Sequence, residues 1–247
     1  MTSVRTWLNL VGDFIFPPTC PGCGSERHYS GEWCQDCFEA VLDVRRMPDV
    51  DERLFAEVWA LGHYDGGLKV LLRDIKFNGK KERSRGAAPF LASFRCAALN
   101  WQPDYVVPIP VSDKKRKIRG YNQVDLLFKD WAHELQALSS EMKGLGGNGR
   151  SGNGISIGAT KFQWLDALGK QGDTKAMFGL TRTERAENMQ GAFHPLPNVA
   201  RSGCLKGKTV LLVDDIFTTG ATLVSAAMVL KEMGVETIYG LTLAGGH

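Results

Sequence analysis

A doubly wound α/β domain, with a mainly parallel sheet and helices on both faces, is the fold that this 247-residue sequence predicts, carried behind a small N-terminal four-cysteine module. Three observations predict it. Short apolar runs of strand length alternate with segments of helical periodicity, the pattern of parallel strands joined by crossover helices. One fully apolar strand ends in two adjacent acids and a Thr/Gly turn. Two C-x-x-C pairs stand close together near the start.

The chain opens with Trp7, Leu8, Val11, Phe14 and Ile15, interrupted by Asp13 and ended by Pro17-Pro18. That spacing suits an amphipathic helix packed on the body of the protein. It is too short to span a bilayer and carries no small-residue cleavage site, so the expectation is a cytoplasmic protein with no membrane partner. Hydrophobic residues at 43% and charged residues at 23% exclude wholesale disorder. A net charge of +3 is too small to argue for nucleic acid by itself.

Cys20 and Cys23 form the first C-x-x-C and Cys34 and Cys37 the second. Two such pairs can set four thiolates around one Zn²⁺, whereas redox C-x-x-C pairs usually occur singly at a helix start. Gly22 and Gly24 fit the tight knuckle. Four thiolates leave no open position for catalysis, so the expected role of zinc is structural. Cys96 and Cys204, in apolar or mixed surroundings, read as buried small side chains.

Residues 54–64 read as a first strand, ended by Asp65-Gly66-Gly67. Leu68, Leu71, Leu72 and Ile75 then recur at helical spacing up to Lys76-Phe77-Asn78-Gly79, and residues 86–99 read as a second helix. Tyr105, Val106, Val107 and Ile109 form a short buried strand that Pro108 and Pro110 bring to an end. Lys114, Lys115, Arg116, Lys117 and Arg119 follow within six positions, as either a solvated loop or an anion site. After Gly120-Tyr121-Asn122-Gln123, a helix places Leu126, Leu127, Trp131 and Leu135 on one face.

Residues 140–160 are expected to be a flexible insertion. Seven of the fifteen residues 144–158 are glycine, too little apolar surface to offset the cost of ordering. The G-x-G-x-x-G spacing at Gly147, Gly149 and Gly152 is a by-product of that abundance, since no strand precedes it. Gly207-Lys208-Thr209 is no Walker loop either, because it leads into a strand. The rest reads as a helix near 181–189, a strand over 209–213, a helix over 221–233 and a final strand over 235–243.

The strongest signal is the run from Val210 through Asp214-Asp215-Ile216-Phe217 to Thr218-Thr219-Gly220-Ala221-Thr222. Open α/β sheets bind ligands at the carboxyl ends of their strands. A helix N-terminus there suits a phosphate, with Thr218, Thr219 and Thr222 adding donors and Gly220 permitting close approach. The acids stand within reach of ribose hydroxyls.

These residues resemble the phosphoribosyl-diphosphate (PRPP) loop of type I phosphoribosyltransferases. The wider chain resembles the ComF family, a resemblance that also runs through Pro17-Pro18 and the cysteines, Lys76-Phe77-Asn78-Gly79, Pro108-Ile109-Pro110, Arg119 to Gln123, and Arg185, Asn188, Gly191, Ala192 and Phe193. It implies a zinc module over residues 1–50 and a phosphoribosyltransferase-like domain over 51–247. It implies Asp214 and Asp215 on the ribose, Thr218–Thr222 on the 5′-phosphate, and Mg²⁺ accompanying PRPP. Arg119, with Lys114 and Arg116, becomes a candidate for stabilising charge on the pyrophosphate, and Lys76 and Arg185 are weaker candidates. The implied function is transfer of a phosphoribosyl group with release of pyrophosphate. The alternative is a non-catalytic PRPP- or nucleotide-binding protein that assists DNA uptake by handling single-stranded DNA or docking a competence partner. Two departures fall near the expected mobile loop: Met177 stands where the family usually has Gln, and Gly169-Lys170-Gln171 where it has an upstream arginine.

Overall fold

The computed structural model describes residues 17–48, 50–145, 161–171 and 191–246, with backbone alone over 142–145. The expected N-terminal helix, the Gly-rich insertion beyond 145, and the segment holding Met177, Arg185 and Asn188 lie outside the described residues.

A short helix α1 (Gln35–Glu39) leads into the edge strand β1 (Leu42–Arg46), which pairs antiparallel with β2 (Glu57–Gly62). Helix α2 (Gly66–Phe77) follows, then a 3₁₀ segment (Lys81–Ala87), α3 (Ala88–Ser93), α4 (Arg95–Trp101) and β3 (Tyr105–Pro108). Helices α5 (Asp113–Arg119) and α6 (Gln123–Leu145) come next, then β4 (Gln163–Trp164), β5 (Leu168–Lys170) and β6 (Phe193–Pro195). The chain closes with α7 (Pro197–Ser202), β7 (Thr209–Phe217), α8 (Ala221–Glu232) and β8 (Thr237–Gly245). The main sheet runs β1-β2-β8-β7-β3-β4, parallel except at β1, while β5 and β6 form a separate antiparallel pair.

The central strands are apolar on both faces because both faces are covered. Leu211 and Val213 of β7 join one core with Leu71, Ile75, Phe90, Phe128 and Leu135 of the helices beside them. Val210 and Leu212 point the other way, into a core with Leu223, Ala227 and Leu230 of α8. The doubly wound arrangement is thus the one the alternating pattern predicts.

Four local expectations need correction. Residues 86–99 do not form one helix: a 3₁₀ turn precedes Ala88, and the chain breaks between α3 and α4 at Phe94, whose ring is buried. The basic segment is a helix, not a loop. The Ser112 hydroxyl accepts the Lys115 amide at 3.4 Å, Asp113 occupies the first turn, cations fill the last turn, and Gly120 ends it. The strand expected over 209–213 continues to Phe217, because β8 pairs with it as far as Gly245. Cys96 is likewise exposed, not buried.

Candidate functional site

Because β7 continues through the two acids, its alternation sends them to different faces of the sheet. Asp215 faces α2 and α6, where its Oδ2 accepts Lys76 Nζ at 2.9 Å and Gln123 Nε2 at 3.2 Å. Asp214 starts toward the other face and curls back, its Oδ1 accepting the Asp215 amide at 2.8 Å. Both acids are buried, at 6% and 4% exposure.

Their protonation is pulled in opposite directions. Burial, joined by the neighbouring Asp215 charge, pushes Asp214 up to about 8. Burial acts on Asp215 as well, but the Lys76 ammonium and its hydrogen bond outweigh it and hold this carboxyl below its ordinary value. Burial also works against charge on Lys76, yet Asp215 and then Asp214 keep its pKa above the usual lysine value. The centre is therefore one carboxylate tied to one ammonium, beside a second carboxyl that burial favours in its neutral form.

Two further cations complete it. Arg119 donates to Gln123 Oε1, which places it one side chain behind Asp215, and its guanidinium lies 6.0 Å from the centre of the Phe77 ring. Lys170, on β5, sits over the Phe193 ring at 5.1 Å and feels the charge of both acids. Burial lowers its pKa, with Asp214 opposing and Lys115 and Lys76 adding to the fall. By sequence alone Lys76 is a weak candidate, and neither Gln123 nor Lys170 stands out as a site residue. Their neighbourhood depends on contacts 139 and 92 residues apart for Lys76 and Gln123, which no local pattern encodes.

The Thr/Gly turn lies where the sequence places it, between β7 and α8. Gly220 is the N-cap of α8 with φ 75°, and it offers no side-chain cap to the first-turn amides. A Cβ there would lie 2.8 Å from the Phe217 ring. Thr218 is exposed, and Thr219, Ala221 and Thr222 are half-buried. Uncapped amides at the start of a helix, next to hydroxyls, are suited to a phosphate.

The basic helix divides. Lys114, Lys115 and Arg116 are exposed on α5, and the Arg116 guanidinium is 3.5 Å from Asp125. Arg119 alone among the arginines of α5 turns inward to the acid pair. Asn122 braces this corner, donating to Ile109 O at 3.1 Å and to Asp125 Oδ1 at 3.0 Å. The Tyr121 hydroxyl donates to Ile75 O and so ties the α5–α6 turn to α2.

A second cluster lies in the N-terminal module. The sulfurs of Cys20, Cys23, Cys34 and Cys37 all lie within 4.8 Å of one another, and none is in a disulfide. Cys20–Cys34 and Cys23–Cys34 are 3.7 and 3.8 Å apart. Tetrahedral Zn–S bonds of about 2.3 Å separate sulfurs by about 3.8 Å, so the four thiols fit a closed Zn²⁺ site. A Cβ on Gly22 would lie 2.6 Å from Cys37 Sγ, which explains the glycine there.

Known proteins agree with this division. Residues 163–246 match the Phosphoribosyl transferase domain family, and residues 11–47 match the Double zinc ribbon domain. The latter segment holds four cysteines, enough for one ion. Competence protein F of Haemophilus influenzae is 28% identical over 92% of this chain and 85% of its own. Competence protein ComFC of Streptococcus pneumoniae is 27% identical over 91% and 86%. The DNA utilization protein YhgH of Escherichia coli O157:H7 is 23% identical over 89% and 80%. No described helix is long and apolar enough to cross a membrane. The chain is thus homologous over most of its length to ComF-type proteins, with one segment that matches a phosphoribosyl transferase domain and an N-terminal one that matches a zinc ribbon.

Proposed function

We propose that this protein binds PRPP at the β7–α8 junction and transfers its phosphoribosyl group to a nucleophile, releasing pyrophosphate. The observation that carries this reading is the buried acid pair near the end of β7, joined by the Thr/Gly turn to an uncapped helix start. Acceptors for ribose hydroxyls and donors for a phosphate are then carried on one continuous strand–turn–helix segment. Residues 51–247 form the transfer domain in this reading and residues 1–50 the structural module.

In the reaction, the nucleophile forms a bond to C1 of the ribose while the bond from C1 to the pyrophosphate oxygen breaks. The electron pair leaves with pyrophosphate, and the nucleophile gives up its proton. Thr218, Thr219 and Thr222, with the amides around Gly220 and Ala221, hold the 5′-phosphate. Asp214 and Asp215 orient the ribose, and the Asp215 carboxylate stabilises positive charge that develops at C1. In this reading Arg119 and Lys170 are the cations that meet the leaving pyrophosphate, with exposed Lys114 and Arg116 adding positive potential at the rim. Mg²⁺ bound together with PRPP would supply positive charge against which pyrophosphate could leave.

Calorimetric titration of PRPP with Mg²⁺ into the wild type and into the double variant Asp214→Asn/Asp215→Asn tests the site. Mg²⁺-dependent binding that the double variant loses is the expected result. Pyrophosphate release on adding candidate nucleophiles then tests turnover. A folded, zinc-replete protein that takes up no PRPP would end this reading.

The second reading is a PRPP- or nucleotide-binding protein without turnover that assists DNA uptake, by handling single-stranded DNA or docking a competence protein. It is supported by the competence and DNA-utilization names of the relatives and by the exposed basic face of α5. A steep fall of single-strand affinity with salt favours it. Against it, no run of aromatic side chains interleaves with the α5 cations to stack bases.

A further inference from the structure

The zinc knuckle and the acid pair touch the two ends of the same helix. At the start of α2, Gly67 packs against the knuckle so closely that a Cβ would lie 2.8 Å from the Gly22 backbone and 2.6 Å from the Trp33 ring. Gly67 is helical and has no left-handed φ, so close approach alone accounts for a glycine here. At the other end of α2, about 14 Å away along nine residues of helix, Lys76 reaches Asp215.

The knuckle is fastened to this region at further points. Trp33 Nε1 donates to Gly86 O at 2.9 Å, and the Trp33 and Phe38 rings pack edge-on against Phe90 at 5.6 and 4.9 Å. Arg83, itself buried, donates to Thr19 O beside Cys20 at 3.1 Å and forms an ion pair with buried Asp74, two residues before Lys76. Asp74 also accepts from Asn78 at 2.7 Å, which closes the C-terminal turn of α2. The contacts run without a gap from the thiol cluster to the acid pair.

We propose that the zinc module is a positioning element for the PRPP site: it fixes α2, and α2 holds the Lys76 ammonium on Asp215. Packed interiors shift between discrete arrangements and do not deform smoothly, so a wedge between Gly22 and Gly67 is transmitted along a rigid helix to its far end. Lys76 is a positioning residue in this scheme, setting the place and charge of Asp215. The link to ligand affinity rests on the proposed PRPP reading, whereas the link from knuckle to Lys76 does not.

The test compares the full-length wild type with Gly67→Ala, which alters neither the thiols nor the acids. Arg83→Lys, which keeps a charge for Asp74 and shortens the reach to Thr19, serves if Gly67→Ala does not fold. Three quantities are read: zinc per chain, the rate at which an amine-acylating reagent labels Lys76 by mass spectrometry, and PRPP–Mg²⁺ affinity. The expected result is one zinc per chain, Lys76 labelling accelerated severalfold, and affinity weaker by about fivefold or more. In a Lys76→Met background, the Gly67→Ala change should cost little further affinity, because the path through Lys76 is already broken. Unchanged Lys76 labelling in a folded, zinc-loaded variant overturns the coupling. So does an affinity loss that Lys76→Met leaves fully additive. If the wild type binds no PRPP, the functional reading fails by itself, and the labelling comparison still decides whether the knuckle positions Lys76.

Discussion

The zinc knuckle and the acid pair both crowd ionisable groups together, but they resolve the crowding in opposite ways. The knuckle gathers its four thiols within a span of 18 residues, and one ion can satisfy them all. The acid pair draws its partners from far along the chain: Lys76 from α2, Gln123 from α6 and Lys170 from β5. It is also left unequal, with one carboxyl held ionised and the other pushed toward neutrality. A closed local cluster serves folding, while an unequal pair assembled by the whole fold keeps one group ready to change its charge.

Removing a thiol should break this comparison most severely. Cys34→Ser takes away a sulfur close to both Cys20 and Cys23. Loss of zinc and of more than about 3 kcal/mol of stability is expected, read by metal analysis and thermal unfolding. If stability survives without zinc, the knuckle is not a folding site.

The acids come next, and they should not behave alike. Asp215→Asn leaves the Lys76 ammonium, 28% exposed, without its counter-ion. A cost of about 2 kcal/mol is expected in denaturant unfolding, below the figure for a fully buried pair because Lys76 keeps some water. Asp214→Asn should be close to neutral or mildly stabilising at pH 7, since it removes a carboxyl that burial disfavours as an anion. The pH dependence sharpens the contrast. Asp214 is raised to about 8, so the folded state binds its proton more tightly than the unfolded chain, and stability should fall as pH rises from about 4 to about 8. Asp215 is depressed, so its contribution is present above about 4 and fades as pH falls below that. Asp214→Asn should flatten the decline on the alkaline side and leave the acid side intact.

Smaller effects follow. Gly220→Ala forces a left-handed φ on a residue with a Cβ and presses it on the Phe217 ring. A loss of about 1–2 kcal/mol is expected by chemical denaturation, with the Thr/Gly turn disturbed more than the knuckle. Arg116→Ala removes an exposed guanidinium 3.5 Å from half-buried Asp125, and its effect on the melting curve should stay under about 1 kcal/mol.

The sequence made some of this legible and hid the rest for physical reasons. The thiol spacing and the strand–acid–threonine run are local strings, and their placement is readable because neighbours in sequence remain neighbours in space. The parallel sheet was readable from the apolar run Val210–Val213, which only a strand covered on both faces requires. The end of β7 was hidden because the acids look like a strand terminus, yet pairing with β8 carries the ladder past them. The basic segment looked like a loop because its cations obscured the Ser112 cap and the Gly120 stop. Lys76 and Gln123 were hidden most deeply, since a lysine at a helix end is ordinarily surface and becomes a partner of Asp215 only once α2 is docked.

The order of strands carries a last implication. An unpaired strand edge is a template on which another chain can add a strand, and long flat apolar edges invite aggregation. Here the two border strands of the main sheet are poor templates. β1 is five residues long and carries Asp43, Arg45 and Arg46, and β4 has only two residues. The apolar strands most prone to such templating, β7 and β8, lie in the middle of the sheet, each with a neighbour on either side. Among the described residues, the main sheet is therefore guarded against edge-to-edge growth at both of its borders.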